Sequence, residues 1–293
     1  MMISLQAGQM RRRSLFIPLI LMAILPTEHA TATAAPSAGL SESESRGLSS
    51  YADSVDLVIA SPLVIRARIE GRKKVNIAAA DGEASPISYY LTTAQVETLI
   101  RGDSGVAPTL TFLVRDVPKG QVRPDYLRKK VTVMLFARPG RKPGEIQLTS
   151  RNAIQPWTED LEQRTRSITS DLLRADSPPA ITGVGDAFHI AGTIAGESET
   201  QIFLKTENGV PVSLSILRRP GEAPHWGVSL GEIVDESAVP PSTDTLLWYR
   251  LACGLPPALP NESTRSLPLL DAEAARRDYK LVMESLGRCG RTL

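Results

Sequence analysis

Short apolar runs with a period of two constrain this chain most. Leu63, Ile65, Ala67 and Ile69 alternate with Val64, Arg66, Arg68 and Glu70. Successive side chains of a strand point to opposite faces, so this pattern predicts a half-buried strand. Residues 89–100 form a second extended run, Leu110, Phe112 and Val114 a third, Val131, Val133 and Leu135 a fourth, and Ile146 with Leu148 a fifth. Pro139-Gly140-Arg141-Lys142-Pro143-Gly144 supplies a turn between the last two. Residues 55–157 are thus expected to hold about five strands, as in a small barrel or sandwich.

A helix is expected next. Thr158 can cap it, and Glu159, Asp160 and Glu162 suit the positive end of its dipole. Leu161, Thr165, Ile168 and Leu172 fall on one face, and Ser177-Pro178-Pro179 ends the segment. The next part is β-rich again. Asn208-Gly209 lies between two extended runs, 200–206 and 210–217, and predicts a type I′ hairpin. Trp226, Val228 and Leu230 mark another strand. Residues 245–253 read as a further strand, with Leu247, Tyr249, Leu251 and Cys253 on one face. A last helix is expected over 271–286, with Ala272, Ala275, Tyr279, Val282 and Leu286 as its apolar stripe and Gly287 as its stop. The fold class expected is mainly β: two β-rich domains, each followed by a helix, the second a small antiparallel sheet or sandwich.

The N-terminus reads as an export signal. Arg11, Arg12 and Arg13 precede an uncharged apolar run over 15–25, too short for a membrane span of about 20 residues. Ala30-Thr31-Ala32 and Ala32-Thr33-Ala34 fit small-x-small cleavage sites. Arg12-Arg13-Ser14-Leu15-Phe16 also fits a twin-arginine signal, so both export routes stay open. The expected organisation is a signal peptide over 1–34, a Ser/Glu-rich linker over 35–54, a β domain with a trailing helix over 55–176, and a β domain with a C-terminal helix over 181–293. The processed chain is expected in the periplasm or outside the cell, with no membrane-spanning segment after cleavage. An oxidising compartment makes a Cys253–Cys289 disulfide the expected state, fastening the last helix to the sheet.

Catalytic signatures are sparse. There is no His-Glu-x-x-His, Cys-x-x-Cys, EF-hand loop, Gly-x-Ser-x-Gly or P-loop. Gly183-Val184-Gly185-Asp186 is half of a dinucleotide fingerprint, without the strand-to-helix setting it needs. No metal or cofactor is expected. The carboxylates Glu232, Asp235 and Glu236, with His225, are the material for an alternative reading as a periplasmic hydrolase.

Charge distribution is more informative. The 293 residues carry a formal net charge of +1, which excludes a uniformly charged binder. That value hides an asymmetry. Residues 63–142 hold 15 Lys and Arg against 7 Asp and Glu, whereas residues 181–293 hold 10 against 14. Clusters stand at Arg72-Lys73-Lys74, Arg128-Lys129-Lys130 and Arg141-Lys142. They form a candidate basic patch for an anionic envelope polymer, a membrane surface or another envelope protein. Few aromatics accompany them, which argues against single-stranded nucleic acid as the partner.

Two resemblances follow from these patterns. The strand order and helix of residues 55–174 resemble an OB-type five-stranded barrel of the netrin-like kind, a group of secreted inhibitor and binding modules, although its framework cysteines are absent. The run Glu199-Thr200-Gln201-Ile202-Phe203-Leu204-Lys205-Thr206, with Trp248-Tyr249-Arg250-Leu251-Ala252-Cys253, is similar to uncharacterised exported proteins of alphaproteobacteria. Neither resemblance carries functional residues over. The function expected is a non-enzymatic binding or envelope-associated module with a basic first domain.

Overall fold

Ser50 starts the first helix with a reciprocal cap. Its hydroxyl accepts the Asp53 N–H at 3.0 Å, and the Asp53 carboxylate accepts the Ser50 N–H at 2.9 Å. This capping box starts helix α1 (Tyr51–Ala60), whose Ala52, Val55 and Val58 are buried. The computed structural model describes residues 49–77, 87–116, 125–231 and 238–292. The signal peptide expected over 1–34 and most of the linker expected over 35–54 lie outside the described residues. Helix α1 replaces the end of that linker, because Ser50 and Asp53 satisfy the first-turn donors and the apolar spacing follows at once.

The first sheet contains β1 (Leu63–Ile77), β2 (Ile87–Arg101), β3 (Thr109–Arg115), β4 (Thr132–Pro139), β5 (Ile146–Leu148) and β6 (Ile154–Pro156). Its order is β3-β2-β1-β4-β5, with β6 also on β4, and every ladder is antiparallel. The period-two reading holds. Ile65, Ala67 and Ile69 are fully buried on the face they share with Ala94, Leu110 and Phe112. Six strands stand where about five were expected, because β6 is a three-residue strand too short to show periodicity. The sheet does not close into a barrel. Its two ends approach, however: the Thr111 N–H donates to the Gly144 carbonyl at 2.8 Å, and Thr111 makes an isolated parallel bridge with Glu145. The Pro-Gly turn leaves no room for a side chain at Gly140, where a Cβ would lie 2.7 Å from the Glu145 Cβ.

Helix α2 (Glu159–Leu173) follows as expected, with the Thr158 hydroxyl accepting the Leu161 N–H at 3.1 Å. Its buried Leu161, Thr165 and Ile168 share one face. Helices α1 and α2 cover the outer side of β1 and β4, where Val64, Met134 and Phe136 join Val55, Val58 and Ile168 in one apolar cluster. The first sheet thus has a core on its inner face and a second one on part of its outer face.

The second sheet has the order β10-β9-β8-β7 and is antiparallel throughout. Its strands are β7 (Ile181–Ala191), β8 (Ser198–Thr206), β9 (Val212–Arg218) and β10 (His225–Leu230). Gly183-Val184-Gly185-Asp186 lies within β7. The Asn208-Gly209 turn joins β8 to β9, but it is not type I′. Gly209 has φ +74°, whereas Asn208 is not among the positive-φ residues. The Asn208 side chain instead accepts the Val210 N–H at 3.2 Å, and Pro211 has no N–H for the ladder, so the connection widens to residues 207–211.

Residues 245–253 are not a strand. They form helix α3 (Leu246–Gly254), with the Thr245 hydroxyl accepting the Trp248 N–H at 3.2 Å. A short, almost continuous apolar run reads alike for a buried strand and a buried helix, and the cap decides between them. Helix α4 (Leu269–Leu286) buries the whole expected stripe, and Gly287 ends it with φ +71°. Cys253 and Cys289 form a disulfide with Cα atoms 4.8 Å apart. It ties the segment after α4 to helix α3, not to a strand as expected. Residues 47–293 form one compact unit, and the larger apolar cluster runs from Val64 and Phe136 through α3 to Ile202 and Tyr279.

Candidate functional site

Strand register decides which basic clusters meet. β1 pairs with β4 only from Leu63 to Arg68 and then runs on beside β2 to Ile77. The chain before β4 lies along this overhang. Ile69 N–H donates to the Val131 carbonyl at 2.9 Å, and Lys130 N–H donates to the Ile69 carbonyl at 2.6 Å. Lys130 holds a positive φ of 70° there. Arg128, Lys129 and Lys130 therefore sit about 10 Å along the strand from Arg72, Lys73 and Lys74, at about 3.3 Å per residue. Arg141 and Lys142 do not join them. They follow the far end of β4, in the turn whose Gly144 carbonyl accepts the Thr111 N–H.

The six clustered cations have different partners. The Arg72 guanidinium stacks over the Tyr90 ring at 5.1 Å. Lys74 Nζ pairs with Asp116 at 2.9 Å, and Arg128 pairs with Asp125 at 2.8 Å. Lys73, Lys129 and Lys130 are exposed, with no ion pair to another described residue. Among the described residues, two carboxylates partly neutralise these six cations, and strand alternation puts Lys73 on the face opposite to Arg72 and Lys74.

Elsewhere two carboxylates, Asp278 and Glu162, are enclosed. Asp278 of α4 is 1% exposed and accepts from three directions. Arg218 of β9 donates to Oδ1 through Nε at 2.7 Å and Nη2 at 2.6 Å. The Thr200 hydroxyl of β8 donates to Oδ2. Because that proton is committed to the carboxylate, Thr200 accepts from His189 Nδ1 of β7 at 2.8 Å, which fixes the imidazole proton on Nδ1. The order is carboxylate, hydroxyl, imidazole. In a nucleophile triad the imidazole stands in the middle, so this network positions α4 on the sheet without activating Thr200. The sequence held one sign of it: an acidic residue beside Ala275, Tyr279 and Val282 on the buried stripe of α4.

Glu162 shows the same logic on α2. Burial raises its carboxyl pKa, but donors from Trp157, Arg166 and Arg66 outweigh that and hold it below the usual carboxylate range. At the C-terminus, Arg291 donates to both Asp56 oxygens at 2.6 and 3.1 Å, and the Tyr249 hydroxyl donates to the same carboxylate. Burial, and then Asp56, push the Tyr249 hydroxyl above its ordinary value. Thr292 donates its N–H and hydroxyl to Asp53. These contacts and the disulfide strap the last residues across α1 and α3.

The material for a hydrolase site is not assembled among the described residues. His225 is exposed at the start of β10, and Glu232, Asp235 and Glu236 lie outside the described residues. The concavity beside His225, lined by Ser215, Trp226, Gly227 and Ala238, has no interior space for a water molecule. Among the described residues no group of three His, Cys, Asp or Glu side chains could hold a metal ion, and no helix is long and apolar enough to cross a membrane. No protein-family model matches the chain, and no curated protein does either.

Proposed function

We propose that this protein is an exported, non-enzymatic binding module of the cell envelope. It holds an anionic polymer or surface on the basic end of its first sheet. The observation that carries this reading is the placement of Arg128-Lys129-Lys130 beside Ile69 of β1, about 10 Å along the strand from Arg72-Lys73-Lys74. The Cys253–Cys289 disulfide supports an oxidising compartment, periplasmic or extracellular. The order β3-β2-β1-β4-β5, with the parallel contact between Thr111 and Glu145, supports an OB-like first domain of the netrin-like kind. The second β domain, in this reading, braces the first through the helices and carries no site of its own.

Retention on a dextran sulfate matrix tests the reading. The protein is expected to bind at low salt and elute as salt screens the charges. Replacing Arg128, Lys129 and Lys130 with Glu should abolish retention without changing the unfolding midpoint. Retention unchanged by that replacement would remove the patch from the account.

A further inference from the structure

The basic end of the first sheet has a second property that charge alone does not explain. Three complete cross-strand rows lie on its outer face: Gly71-Thr93-Thr111, Lys73-Leu91-Leu113 and Val75-Tyr89-Arg115. The opposite face is the core, where Ile69, Ala94 and Leu110 make one row and Thr92 with Phe112 belong to the next. A sheet face turned away from its core normally carries polar side chains. Here Leu91 and Leu113 are direct cross-strand partners and are 40% and 41% exposed. Exposed Lys73 stands beside Leu91 on β1, and exposed Arg115 lies two residues beyond Leu113 on β3. Half-buried Tyr89 stands between them. None of the three rows contains an acidic side chain.

We infer that this face docks on an anionic phospholipid surface. The inference rests on the envelope-binding reading above and specifies its partner. A soluble polyanion would engage Lys73, Arg115, Lys129 and Lys130 and leave both leucines in water. A lipid surface uses all of them. The leucine tips enter the boundary between headgroups and acyl chains, while the cations stay at the level of the phosphates on their flexible stems. Tyr89 suits that boundary too, with an apolar ring and a polar tip. The cations flanking an apolar centre match a negatively charged bilayer and not a neutral one.

The test measures co-sedimentation of the processed protein, free of residues 1–34, with vesicles of equal parts phosphatidylglycerol and phosphatidylcholine. Pure phosphatidylcholine vesicles are the neutral control, and the dextran sulfate matrix is the lipid-free polyanion. Leu91→Thr with Leu113→Thr keeps strand propensity and removes the apolar centre. This double variant should bind anionic vesicles about tenfold more weakly while its elution from dextran sulfate is unchanged. Lys73→Glu with Arg115→Glu should weaken both. Vesicle binding unaffected by the leucine changes would overturn the inference. So would retention on dextran sulfate without vesicle binding, which leaves the envelope-binding reading standing. Failure on both supports would overturn that reading as well. Unfolding midpoints of the variants establish that each is folded when compared.

Discussion

Arg72 and Arg218 show how differently the two sheets use an arginine. Arg72 stacks on a tyrosine at the open end of the first sheet, with Lys73, Lys129 and Lys130 exposed nearby. Arg218 turns to the helix packed on the second sheet and meets a carboxylate that is 1% exposed. The outer faces differ as well. Part of the first sheet's outer face presents Leu91 and Leu113 to solvent. The second sheet exposes Phe188 and Phe203 on β7 and β8, but Ser213, Ser215 and Ser229 are buried on β9 and β10, and a Cβ at Gly227 would collide with the Ala238 carbonyl. Two antiparallel sheets in one chain thus divide the work. The first keeps cations exposed at one end, and the second commits an arginine to the enclosed carboxylate of its own helix.

The division can be broken by substitution. The largest effect is expected at the C-terminal strap. Replacing Cys253 and Cys289 with Ser removes a crosslink that closes 36 residues of sequence separation, and should lower stability by about 3–4 kcal/mol in urea unfolding. Asp278→Ala comes next, at about 3 kcal/mol in the same measurement, because the Thr200 hydroxyl loses its buried acceptor and Arg218 its carboxylate partner. Arg218, with its side chain 35% exposed, can turn to water and keeps this loss at the low end. Neither change should alter retention on dextran sulfate, and a loss of retention by the folded variants would place binding in the wrong sheet.

The smallest effect sharpens the comparison where α2 packs on the first sheet. Glu162→Gln keeps the shape and removes the charge that Arg66, Arg166 and Trp157 share, for about 1–2 kcal/mol at neutral pH. The Glu162 pKa lies below its ordinary value of 4.5 in the fold, so its contribution is complete above that pH and is lost as pH falls through the folded value. The wild-type unfolding midpoint should drop across that acid range. The Gln variant should lack this part of the drop, and an identical acid profile would remove Glu162 from the ledger of stabilising groups.

Local pattern carried much of this fold. The alternation from Leu63 to Ile69, the Thr158 cap with its Leu161-Thr165-Ile168 face, and the stripe of α4 were all legible as written. Each depends on residues within a few positions of one another. Asp278 was legible only as an oddity on an apolar stripe, because its partners stand on three strands. Residues 245–253 misled for a related reason. Nearly every side chain there is apolar, so periodicity had no polar face to report, and the helix emerges from burial against Tyr51, Leu286 and the second sheet.

The candidate surface divides in the same way. Sequence alone determined that residues 63–142 are basic and that the cysteines number two. Tertiary structure decided that the segment with Arg128-Lys129-Lys130 runs beside β1 at Ile69, and that Leu91 faces Leu113 away from the core. Composition and periodicity are properties of neighbours along the chain. Which distant residues become neighbours in space is fixed by strand register, and register is set where two strands bury their apolar faces together.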